Sequence, residues 1–160
     1  MKFLVRIILF LTLFLVGCTS TEECRENLTV ALKIGVYSKT SVEASTLLTN
    51  KLLLVDSVWV NGLKKDSFLY NNVKSVSSLS LPLDISRTQS DFIVRFGNQT
   101  DTISIFYNND DSYFISLACG CIVKHNLEEV VTTKHYIDSI HIINREIVNV
   151  DAEHIQLFHN

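Results

Sequence analysis

The feature that most limits what this chain can fold into is a hydrophobic period of two, repeated from one end to the other. Leu28, Val30, Leu32, Ile34 and Val36 alternate with small or polar neighbours, as do Phe92, Val94 and Phe96, and then Ile103, Ile105 and Tyr107. Successive side chains of an extended strand point to opposite faces, so each run buries one face and wets the other. Further apolar runs at 52–60, 68–70, 73–83, 112–124, 136–148 and 151–159 bring the expectation to eight or nine strands. The longest, 112–124, places Tyr113, Ile115, Leu117, Cys119 and Cys121 on one side, expected to face the core, with Gly120 opposite as a bulge or close backbone approach. Residues 126–134 alone admit a helix, and there the β-branched Val130, Val131, Thr132 and Thr133 favour extended structure. Asn61-Gly62 and Gly97-Asn98 are hairpin-turn pairs, Asn108 to Asp111 reads as a polar turn, and Pro82, the single proline, marks a sheet edge or strand end. The expected fold is all-β, an antiparallel β-sandwich of immunoglobulin-like size with about eight strands.

The first residues carry an address. Lys2 and Arg6 precede an apolar run at 7–16 broken only by Thr12, too short for the ~20 residues that a hydrocarbon core demands and suited to a secretory signal. Leu15-Val16-Gly17-Cys18 follows, and with it the chain resembles bacterial lipoprotein precursors, matching their lipobox position by position. The resemblance implies a diacylglycerol thioether on Cys18, cleavage before it and acylation of the new amine, a multi-chain anchor of the kind that holds stably. The expected division is a signal peptide at 1–17, a lipidated N-terminus and tether at 18–26, and one sandwich domain at 27–160. Cleavage leaves 143 residues, and loss of Lys2 and Arg6 shifts the formal charge from −3 to −5. With no basic cluster to track phosphates, nucleic acid is not an expected partner, and membrane attachment falls to the lipid. Glu22-Glu23 loosely resembles a surface-export signal of Bacteroidetes lipoproteins, but a solvated linker explains it.

Three more cysteines, Cys24, Cys119 and Cys121, sit in a chain marked for export, where disulfides persist. Cys119 and Cys121 are two apart in an expected strand and pair poorly with each other, so either can meet Cys24.

No residue pattern names a reaction. His135 and His141 are six residues apart, about 20 Å along a strand and too far to share an ion, and His125, His154 and His159 show no ligand spacing. No Gly-x-Ser-x-Gly elbow is present, and the pairs Asp110-Asp111 and Glu128-Glu129 read as solvated. Neither a metal, a cofactor nor a catalytic residue is expected. Asp56-Ser57-Val58, Asp101-Thr102-Ile103 and Asp138-Ser139-Ile140 each resemble the Asp-Ser/Thr-aliphatic acceptor of Bacteroidetes O-glycosylation, offering Ser57, Thr102 and Ser139, although Asp followed by Ser or Thr also simply begins strands. Trp59, Phe68 and Tyr70 form a ligand platform or, more commonly for strand aromatics, core.

Ser80-Leu81-Pro82-Leu83, residues 101–105, Ala118-Cys119-Gly120 and the closing residues 153–158, in this order behind the lipobox, resemble the DUF6452 family of Bacteroidetes lipoproteins. The resemblance implies a disulfide between Cys24 and Cys119. Cys121 departs from the family pattern, where a large residue is more usual. It also implies a periplasmic accessory role beside an outer-membrane barrel protein. The expected function is therefore a non-enzymatic, lipid-anchored binding or assembly module of the cell envelope acting with an outer-membrane protein. The alternative is an envelope lipoprotein that binds a small ligand or glycan, with a hydrolase third. An exposed apolar patch favours the first, a concave aromatic pocket the second, and a titratable group with a displaced pKa in a cleft the third.

Overall fold

A computed structural model of the chain describes residues 23–40 and 49–159. Cys18 and the signal segment lie outside the described residues. Eleven strands and no helix are found among those described: β1 (Leu32–Thr40), β2 (Thr49–Leu52), β3 (Val58–Gly62), β4 (Phe68–Val73), β5 (Ser78–Leu81), β6 (Gln89–Phe96), β7 (Gln99–Ser116), β8 (Gly120–Thr132), β9 (Ser139–Ile142), β10 (Glu146–Ile147) and β11 (Ile155–His159). One sheet runs β2-β1-β11-β9, with β5 also paired to β1, and the other runs β10-β8-β7-β6-β3-β4. All pairings are antiparallel except β1 with β11, where Ile34 lies opposite Ile155 and Val36 opposite Leu157.

The period of two holds from Leu32 onward through β1, β6 and the first half of β7, whereas Leu28 and Val30 lie before β1 and Leu28 is 44 % exposed. Leu32, Ile34, Leu79, Leu81, Ile155 and Leu157 from the first sheet join Val58, Val60, Val94, Ile103, Ile105, Tyr107 and Leu127 from the second in one continuous core. Burial at roughly 1.5–3 kcal/mol per large apolar side chain is the term that holds the two layers together. Gly35 looks away from this core, and a Cβ there would run into the Glu153 carboxylate and the Tyr37 ring. Glu153 accepts from the Tyr37 hydroxyl at 3.0 and 3.1 Å and from Gln156 Nε2 at 2.9 Å, so it has little freedom to give way.

Several boundaries differ from the sequence reading. The run 52–60 is divided between β2 and β3, which belong to different sheets. Asn61 and Gly62 stay inside β3, and the turn falls after them, where Lys64 takes a φ of 63°. Residues 136–148 are not one strand: the chain pairs as β9 in the first sheet, leaves it at Ile143 and enters the second as β10. Arg145 holds the crossing, its Nη1 donating to the carbonyls of Leu127 and Glu128 at 2.9 and 2.7 Å.

The largest correction concerns 108–124. Asn108 to Asp111 is no turn but the middle of β7, with a register shift between Asp110 and Tyr113. The reversal comes at Leu117-Ala118-Cys119, inside the run read as a core-facing strand, and Leu117 is 94 % exposed. The Cys119 N–H donates to Ser116 Oγ at 3.1 Å, and Gly120 leaves the turn at φ +73°, a conformation that suits a residue without Cβ. Gly97-Asn98 is the two-residue turn that the sequence announces, joining β6 to β7, and Pro82 directly follows β5.

Candidate functional site

A cleft of about 520 Å³ opens at one end of the sandwich between the β3–β4 turn and the loop that joins β5 to β6. Leu69, Pro82, Leu83 and Phe92 supply its apolar lining, and Lys64, Lys65, Asp84, Arg87 and Asp91 its charged rim. Each wall has a local cause. Leu69 lies where the pairing of β3 with β4 slips, between Phe68 opposite Asn61 and Tyr70 opposite Val60, and the slip leaves it 46 % exposed. The turn is tied by the Lys65 N–H to the Gly62 carbonyl at 2.9 Å and by Asn61 Nδ2 to the Lys65 carbonyl at 3.2 Å. It is fixed to β6 by the Leu63 N–H on the Asp91 carbonyl at 2.8 Å.

The opposite wall, residues 84–90, is held from below by a polar network in an otherwise apolar core. Tyr107, fully buried, donates its hydroxyl proton to the Asp84 carbonyl at 2.9 Å and accepts the Asp84 N–H at 2.9 Å. With that single proton committed, the Ser90 hydroxyl at 2.7 Å must donate to Tyr107. Asn109 Nδ2 donates to the Ile85 and Arg87 carbonyls at 2.9 and 2.7 Å, which leaves its Oδ1 to accept from His125 Nδ1 at 2.6 Å. The bond fixes the His125 tautomer, and burial pushes this histidine's pKa down and keeps it neutral. The buried ring also meets Tyr107 edge-on at 5.2 Å. At the loop's surface the Ser86 hydroxyl and N–H hold the Asp84 carboxyl below its ordinary range, helped by Arg87 and Lys65.

No histidine or cysteine lines the cleft, and Ser90 is engaged by Tyr107. Among the described residues no group of three or more His, Cys, Asp or Glu is placed to hold a metal ion. Phe92, the one aromatic side chain in the lining, is 5 % exposed. Two of the apolar lining residues are exposed: Leu63 at 42 % and Leu69 at 46 %.

The disulfide joins Cys24 to Cys119, with Cα atoms 4.7 Å apart, and Cys121 is a free, exposed thiol. The pairing implied by the family resemblance is therefore the one formed, although Cys119 sits in a turn and not on a strand face. A profile described as "Family of unknown function (DUF6452)" matches residues 57–159, from the residue before β3 to the end of β11. The chain belongs to DUF6452. That match includes both walls of the cleft and Cys119, while Cys24 and β1 lie before it. The chain matches no curated protein and no solved structure.

The other residues singled out in the sequence are scattered. Ser57 precedes β3, half-buried; Thr102 lies in β7, its N–H donating to Thr133 Oγ1 at 3.0 Å; Ser139 opens β9. Asp101, the acid of the second acceptor-like triplet, is fully buried and caged: it accepts from Thr133 Oγ1 at 2.7 Å and from the N–H groups of His135, Tyr136 and Ile137 at 2.6, 2.7 and 3.0 Å. Burial alone raises its pKa, and these four donors outweigh that and leave it below the usual carboxylate value. It pins the connection from β8 to β9. His154 is likewise buried, its Nδ1 accepting the Lys33 N–H at 3.0 Å. Burial, with Lys33 adding to it, lowers its pKa against the opposing pull of the Glu146 backbone. His159 stacks on Tyr136, and His141 lies against Phe158. Trp59, Phe68 and Tyr70 make no common platform: Arg95 covers the Trp59 ring at 3.7 Å, Tyr70 packs on the core, and Phe68 is exposed. Sequence reasoning missed Tyr107, Asn109 and His125 as a loop anchor. The clustered amides at 108–109 were the available signal.

Proposed function

We propose that the protein is a non-enzymatic, lipid-anchored module of the cell envelope that receives an extended segment of an outer-membrane protein at the cleft. The observation that carries the reading is the coincidence of three features at one end of the sandwich. The cleft is there, lined in part by exposed Leu63 and Leu69. Beside it runs β4, the outermost strand of its sheet among the described residues, whose edge can accept a further strand. From the same end β7 and β8 continue outward to Cys119, bonded to Cys24, six residues after the lipobox cysteine. An opening fringed by exposed aliphatic side chains, with a single nearly buried aromatic in its lining, favours a protein segment over a sugar, for which stacking rings are the usual platform.

Photo-crosslinking in intact envelopes tests this. A photoreactive residue in place of Leu69 is expected to give one dominant adduct with an outer-membrane protein, whereas one at Asn98, in the turn at the far end, gives none. Labelled palmitate is expected to enter the wild-type chain and not Cys18→Ser. Recovery of the monomer alone from the Leu69 position refutes the partner reading, and equal labelling of the two chains refutes the anchor.

A further inference from the structure

The outer part of the β7–β8 hairpin is built unlike the rest of the molecule. The pairing of β6 with β7 ends at Gln89 opposite Phe106, and that of β10 with β8 ends at Ile147 opposite His125. Beyond these points, among the described residues, the two strands form a ladder only with each other, with Tyr113 opposite Ile122, Phe114 opposite Cys121 and Ser116 opposite Gly120. At about 3.3 Å per residue, the arm from Asp110 to Ser116 projects roughly 20 Å. Residues 112–123 contain no charged side chain, while Asp110, Asp111 and Lys124 stand at the base. Two large apolar groups of the arm are turned outward: Leu117, at the tip, is 94 % exposed, and Phe114 is 58 % exposed. A protruding, uncharged tip is an unfavourable thing to leave in water and a common mark of a surface with a partner.

The covalent structure says which partner. Cys119 lies in the turn beside Leu117 and is bonded to Cys24, so the tip is fastened to the chain six residues from Cys18. Six residues reach ~20 Å at full extension. We propose that this arm seats on the bilayer, with Leu117 and Phe114 entering the interfacial layer of the membrane that holds the Cys18 lipid. The proposal rests on the reading of Cys18 as the anchor. Behind the tip, Lys124 Nζ lies 5.6 Å from the Tyr113 ring centroid and pairs with Glu146 at 3.0 Å and Asp110 at 3.7 Å. This places an aromatic ring and a flexible cation where a membrane-contacting segment meets the headgroups. The arm then stands the sandwich upright, with its cleft end toward the membrane and the turn at Gly97-Asn98 away from it.

Cys121 supplies the probe, being a free, exposed thiol opposite Phe114. The full lipidated protein, labelled there with an environment-sensitive dye, is bound to phosphatidylethanolamine/phosphatidylglycerol vesicles containing lipid brominated near the headgroup. Expected are a blue shift and a loss of emission of roughly two-fold, matching insertion about 5–10 Å deep. Leu117→Asp, at a site too exposed to threaten folding, is expected to float with the vesicles yet keep a water-like, unquenched probe. Wild-type protein that floats with an unquenched probe overturns the proposal while leaving the anchor intact. Wild-type protein that fails to float overturns both. Shielding of the dye from aqueous iodide only when envelope proteins are added assigns the tip to a protein and also overturns it.

Discussion

Asp101 and the residues around Tyr107 show how single polar side chains set this structure. A carboxylate with four donors at 2.6–3.0 Å is stabilising only while it stays ionised and complete. Asp101→Asn turns an amide toward N–H groups and is expected to cost roughly 2–4 kcal/mol, hydrogen bonds to a charged group being worth about 1.5–3 each; urea unfolding at neutral pH measures it. The shifts also set a pH dependence. Asp101 has a lowered folded pKa, so its contribution is present above the unfolded carboxylate value of about 3.9 and is lost as pH falls through the folded one. His125 and His154 are lowered too, so their contribution is present above about pH 6.5 and declines below it. Unfolding midpoints are therefore expected to drop in two stages on acidification, and a His154→Gln chain to lose much of the upper stage. A flat midpoint from pH 7 to 5 contradicts the histidine assignment. None of these roles was legible beforehand. Asp101 stood in the sequence as half of an acceptor-like triplet, and only the return of residues 133–137 past it, over thirty positions later, makes it a clamp.

At the scale of strands and turns, the sequence was readable where local chemistry and tertiary demand agree. Gly97-Asn98 turns where alternation stops on both sides, and β1, β6 and the first half of β7 bury the alternate residues expected of them. It misled where they part. The turn at 117–119 contains no polar turn residue and continues the alternation, its reversal being held by Ser116 Oγ, Gly120 and the bond from Cys119 to a cysteine 95 residues earlier. Asn108 to Asp111 has turn composition because Asn109 grips the 84–90 loop and Asp110 bonds Ser112, uses of polar groups that leave the strand extended. A disulfide closing so long a loop is expected to contribute about 4.7 kcal/mol in the chain-entropy limit. Reduction, or Cys24→Ser, is expected to lower stability by roughly 2–4 kcal/mol in urea unfolding. Cys121→Ser, at an exposed site, should fall within about 0.5 kcal/mol of wild type. Equal effects of the two substitutions would show that the bond does not constrain the fold.

For the molecule as a whole, the consequence of these elements is orientation. The proposed lipid on Cys18 would by itself be a swivel, but with the tether closed onto the arm by Cys24 and Cys119 it would fix which end of the sandwich lies near the bilayer, and the cleft is at the end from which the arm projects. Counting ~20 Å of tether and roughly 20 Å of arm, the proposed anchor would hold the cleft no more than about 40 Å from the membrane. That suits a neighbour rooted in the same membrane better than a soluble substrate. The idea can be tested without touching cleft, arm or disulfide. Inserting about twenty Gly/Ser residues between Cys18 and Cys24 adds roughly 25 Å of mean span and keeps the fold. Palmitate labelling and the unfolding midpoint are expected to stay unchanged, while the adduct from the Leu69 position falls several-fold, because the cleft is no longer confined to the partner's height. An undiminished adduct would mean that the partner finds the cleft by its own diffusion, and then the short tether serves retention only, with no part in presenting the site.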